Sequence, residues 1–149
     1  MKFLIKFFLP FLMIGIISPA FSATLKWSMP GDSLTLDPHA QNEGPTHMVS
    51  RQVYESLVTR TVDMSIQPQL ATSWSATGPE TWVFKLREGV VFSDGTPLKA
   101  SDVVFSINRA LSGASDVKEL IDSITSVKST FNNQIEIIAQ QFKNASNFL

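Results

Sequence analysis

The sequence has 149 residues, of which 44% are hydrophobic and 17% charged, a balance that can bury a core and that excludes a wholly disordered chain. Its 12 basic and 13 acidic residues leave a net charge of −1, so no cationic excess awaits a nucleic-acid backbone. With no cysteine, disulfides, thiol nucleophiles and thiolate metal sites are excluded together.

Residues 1–22 read as a secretory signal peptide. Lys2 and Lys6 precede an apolar stretch at 7–17, and Ser18, Pro19, Ala20, Ser22 and Ala23 supply the small residues a signal peptidase accepts. Cleavage fits after Ser22 or after Ala20. The competing readings are a membrane anchor and a buried helix, but the apolar run is short for a bilayer. No cysteine stands near the cleavage region to carry a lipid, so an exported protein, periplasmic or otherwise extracytoplasmic, is expected.

Alternation of apolar and polar side chains over 25–29 predicts a short strand, broken by Pro30 and Gly31. Residues 34–45 read as a long loop, in which Pro38 biases Asp37 away from helix. Thr46 is expected to cap a helix to about Leu57 with Val49, Val53 and Leu57 on one face. Residues 59–66 carry weak strand character with a turn at Asp63 and Met64, and 67–75 read as irregular. Residues 81–87 form the clearest strand: Trp82, Phe84 and Leu86 point one way, Lys85 and Arg87 the other. A turn at 93–97 needs Asp94 as a local acceptor and Gly95 at positive φ. A helix is predicted over 99–110, with Val103, Ile107 and Leu111 inward and Ser101 and Asp102 in its first turn. Residues 121–127 and 134–139 make a hairpin about Phe131, Asn132 and Asn133, and 141–149 begin another helix.

Chemistry-bearing clusters are scarce. His39 and His47 are too few and too poorly matched with acids to specify a metal site, and Asp94 has no general-acid partner at a readable spacing. No nucleophile, base and orienter set stands out, so an exported hydrolase is disfavoured and no cofactor is expected. An exported adhesion or structural module is the alternative from another class.

Ordered blocks carry a resemblance. They are Val53-Tyr54-Glu55-Ser56-Leu57, the run 67–74 ending in Trp74, the run 81–98 containing Phe92-Ser93-Asp94-Gly95-Thr96-Pro97, and Ala100-Ser101-Asp102-Val103-Val104-Phe105 through Arg109. Together they resemble the extracytoplasmic solute-binding proteins of ABC importers, family 5, the peptide, dipeptide, oligopeptide and nickel group. Lys99 departs from the small hydroxyl or acidic residue usual there. The resemblance implies an α/β fold, the N-terminal part of a two-lobed periplasmic-binding-protein-like architecture. Residues 23–149 would hold the beginning of lobe one and of its extra subdomain, and the remainder of the solute-binding protein would be missing. It further implies capture of a peptide, or of a nickel chelate, opine or sugar, and delivery to an inner-membrane ABC permease without covalent chemistry. Residues expected at the ligand lie in the 39–48 segment: His39, Glu43, His47 and Met48. Trp74 and Trp82 are expected to pack in the core.

Overall fold

The computed structural model describes residues 24, 26–29 and 31–140. The signal-peptide reading and the helix expected over 141–149 lie outside the described residues. Residues 26–29 form no strand, and Trp27 is largely exposed. Alternation there marks a face but provides no ladder partner, and a strand without a partner leaves its backbone groups to water.

Helix α1 spans Gly44–Val53 and begins earlier than the sequence suggests. Pro45 sits in the first turn, where its missing amide costs nothing and its fixed φ suits the helix. The cap is Glu43, not Thr46: the Glu43 carboxylate accepts the Thr46 amide at 3.2 Å and also the Thr46 hydroxyl. Thr46 and Ser50 are the buried positions, whereas Val53 is exposed and Tyr54 is already extended. The predicted apolar face therefore gives way to a polar one, and Thr46 is buried because it works as a junction, accepting the Leu34 amide at 3.2 Å.

Strands β1 (Val58–Arg60) and β2 (Ile66–Pro68) pair antiparallel around the expected turn, in which Met64 takes φ 66° and its amide bonds to the Thr61 carbonyl at 3.0 Å. Strand β3 (Ala71–Ala76) was not legible as a strand; it pairs antiparallel with β4 (Thr81–Leu86). Helix α2 (Ala100–Ala110) follows, then a short 3₁₀ turn at Lys118–Leu120, β5 (Ile124–Thr130) and β6 (Gln134–Ala139). The main sheet is four-stranded with order β3-β4-β6-β5, every pair antiparallel. The β5–β6 turn places Asn132 and Asn133 at φ 59° and 55°, a left-handed conformation that asparagine tolerates better than most residues.

The core lies on one sheet face. Phe84 and Leu86 of β4 are buried beside Ile135, Ile137 and Ala139 of β6, with Trp82 half-buried against them. Phe84 stands opposite both Trp74 and Ile135, and its ring stacks on Trp74 with centroids 6.3 Å apart. Helix α2 covers this face through Val103, Ile107 and Leu111, as its 3.6-residue spacing predicts. Its first turn is closed by Asp102, whose carboxylate accepts the Lys99 amide at 2.8 Å. The opposite sheet face is wetter and carries a Lys128–Glu136 ion pair at 2.7 Å between directly opposed residues.

Candidate functional site

The loop preceding α1 is tied down by local and distant bonds. Asp37 accepts the His39 amide at 3.0 Å, an Asx turn fitted to the proline between them. Arg109, in the last turn of α2, grips the same carboxylate with two nitrogens, one at 2.7 Å from Oδ1 and the other on Oδ2. Its Nη1 also lies 3.0 Å from His39 Nδ1, so the imidazole accepts there in its neutral form. The His39 carbonyl in turn accepts from the Asp116 amide at 3.0 Å and the Ser115 hydroxyl at 3.3 Å. Tyr54 Oη donates to the Leu36 carbonyl at 2.9 Å. The Arg109 bonds, and then the His39 amide, hold the Asp37 carboxyl well below the usual carboxylate range. Burial, and then the Arg109 charge, push the His39 imidazole below its ordinary value against the opposing pull of Asp37.

The four residues expected at a ligand part company. His39 lines a cleft of about 730 Å³. Glu43 is the α1 cap, with its carboxylate turned onto Thr46. The His47 Nε2 atom lies 3.1 Å from the Asn42 side-chain oxygen. Half-exposed Met48 lines a second recess of about 430 Å³ together with Trp27, Arg51 and Gln52.

The larger cleft runs between the end of α1, the β1–β2 hairpin and α2. Its buried side is apolar, made by Phe84, Ile124 and Ile137, and its exposed side includes Arg51, Tyr54 and Arg60. Among the described residues no aspartate or glutamate lines it. Arg51 belongs to both recesses and has no ion-pair partner among the described residues. Such a surface can desolvate an apolar group and orient an anion, since a guanidinium presents a planar fork of donors to a carboxylate. Arg51, Tyr54 and Arg60 were missed in the sequence. The one available signal was that Arg51 is the only Lys or Arg between Trp27 and Arg60. Among the described residues no group of three or more metal-ligating side chains gathers.

Residues 65–148 match the family described as bacterial extracellular solute-binding proteins, family 5 Middle. The periplasmic oligopeptide-binding protein OppA of Escherichia coli K12 is 36% identical over 77 residues, covering 52% of this chain and 14% of OppA. Among solved structures, NikA of Brucella suis in complex with Fe(III)-EDTA is 30% identical with a TM-score of 0.65, over 76% of this chain and 23% of NikA. MoaA of A. tumefaciens R10 in complex with mannopinic acid is 28% identical with a TM-score of 0.68, over 77% of this chain and 24% of MoaA. The chain thus spans a seventh to a quarter of the length of these proteins. The architecture is accordingly that of part of the α/β, periplasmic-binding-protein-like scaffold, although the strands described here pair antiparallel. With its family profile running from the β1–β2 hairpin through β6, the chain belongs to the bacterial extracellular solute-binding proteins of family 5.

Proposed function

We propose that this chain is part of an extracytoplasmic substrate-binding component of an ABC importer, one that captures peptides and hands them to an inner-membrane permease. The observation that supports the peptide reading is the 36% identity over 77 residues to an oligopeptide-binding protein. The physical task is reversible enclosure with no covalent step: a cleft satisfies the solute's polar groups, buries its side chains, and changes shape on closure. In this reading residues 1–22 direct export and are then removed, and residues 23–149 hold the start of the first lobe and its extra subdomain. His39, through the cleft it lines, and Met48, through the smaller recess, remain candidates for solute contact. Glu43 and His47 remain candidates as well, each with one polar atom also shaping the loop: Glu43 Oε1 on Thr46 and His47 Nε2 beside the Asn42 side-chain oxygen.

Isothermal titration of the full-length protein with a mixed pool of short peptides tests the assignment. Peptide binding tighter than that of a nickel chelate, an opine or a sugar is expected. Tight binding of one of those, with none of peptide, would overturn it. The opine reading keeps a place because one solved structure similar to this chain holds mannopinic acid, and a metal-chelate reading, nickel chelates included, because another holds the iron chelate Fe(III)-EDTA.

A further inference from the structure

The 39–48 segment is not seated by apolar packing. The loop before α1 forms no helix or strand between residues 31 and 43, and among the described residues none from α1 joins the hydrophobic core. The buried positions of α1 are Thr46 and Ser50, and Ser50 Oγ has no hydrogen-bond partner among the described residues. A buried hydroxyl without a partner costs free energy, so this face of the helix gains little from its seat. Polar ties converge instead on residues 36–39. Tyr54 Oη, just past α1, donates to the Leu36 carbonyl at 2.9 Å. Arg109 of α2 holds both Asp37 oxygens and places Nη1 3.0 Å from His39 Nδ1. Beyond α2, the Ser115 hydroxyl and the Asp116 amide donate to the His39 carbonyl.

We infer that Arg109 is a positioning residue for solute capture: by gripping Asp37 and meeting His39 it sets where the 39–48 segment stands against α2, without touching the solute. The inference rests on the peptide-capture reading and deepens it. Groups in a binding site must be held to within about 0.5 Å of their working geometry, and a segment already in place loses less freedom when solute arrives. Arginine suits the task because its planar fork fixes a carboxylate in orientation as well as distance. The side chains of Arg109 and Asp37 are 43% and 33% exposed, so their bridge adds little to global stability and its effect falls on placement.

The test is calorimetry and thermal melting of the full-length protein, with a pool of tri- to pentapeptides as the probe. Arg109→Gln should weaken binding about tenfold, the scale of re-ordering one or two loop residues at each binding event, while the melting temperature moves by about 2 °C or less. Asp37→Asn should weaken binding similarly. The double variant should be no weaker than either single one, because both changes remove the same tie. Arg109→Lys keeps the charge and loses the fork, so it should recover part of the affinity, and it carries the test if Arg109→Gln fails to fold. Wild-type affinity in a folded Arg109→Gln would overturn the inference and leave peptide capture standing. An affinity loss that only tracks a falling melting temperature across the variants would overturn it as well, marking the bridge as merely structural. Failure of the wild-type protein to bind the pool would overturn both.

Discussion

Phe84→Ala probes the packing that holds the cleft's apolar base in place. Phe84 is only 2% exposed, on a central strand between β3 and β6, and loses its stack with Trp74 when truncated. A fully buried phenylalanine typically costs about 3–5 kcal/mol on truncation to alanine. Two features of the site act in opposite directions. The Trp74 stack adds roughly 0.5–1.5 kcal/mol beyond area burial. Against this, Phe84 lines the cleft, so the space left behind opens into an existing recess and does not become a sealed void, which removes part of the cavity cost. The net expectation is about 3 kcal/mol, at the lower end of the range. Urea unfolding of the full-length protein followed by tryptophan fluorescence is the assay, with Trp74 as a reporter beside the deleted ring. Phe131→Ala is the control: that ring is 91% exposed in the β5–β6 turn and its loss should stay within about 0.5 kcal/mol. A loss below about 1 kcal/mol for Phe84→Ala, with the denaturant slope unchanged, would refute the burial argument.

Acidification should weaken the loop that His39 anchors. Its folded value lies below the ordinary 6.5, so the neutral form stabilises fully above that value, and stability is lost as pH falls through 6.5 toward the folded value, where the unfolded chain binds a proton that the folded one refuses. The melting temperature should drop across that window, and His39→Asn, whose side-chain oxygen can accept from Arg109 without titrating, should flatten the drop; equal slopes in both proteins would contradict the assigned role. Gly95→Ala should cost about 1 kcal/mol in denaturant unfolding although nothing crowds the added carbon, because φ is +86° there, while Gly44→Ala, at negative φ and equally uncrowded, should be near neutral. Asp102→Ala removes the bond to the Lys99 amide and should cost roughly 0.5–2 kcal/mol in the same assay, with Asp102→Asn recovering much of it.

What the sequence displayed was whatever is decided within a few residues. The strand at β4 was legible because three large apolar residues repeat with period two, and the β5–β6 hairpin because two asparagines mark a left-handed turn between apolar runs. Strand β3 was hidden, since Ala71-Thr72-Ser73-Trp74-Ser75-Ala76 has little strand preference of its own and is held by pairing with β4. The start of α1 was misplaced because threonine is among the preferred capping residues and glutamate is not, whereas Pro45 fits the first turn and moves the cap back to Glu43. The candidate site was the least legible part. Asp37 and Arg109 meet across 72 positions, and the cleft wall draws Arg51, Arg60 and Ile107 from three elements, so no local spacing announces either. The 39–48 segment was found because a long, proline-broken loop is visible in any sequence, whereas which of its side chains are consumed by capping and local bonds is settled only by folding.

The most direct test of the account is native mass spectrometry of the full-length protein purified without refolding from the extracytoplasmic fraction, followed by release and identification of whatever it carries. Capture of peptides predicts a heterogeneous set of added masses that resolve, on release, into short peptides. A single opine, sugar or metal chelate in their place would contradict it.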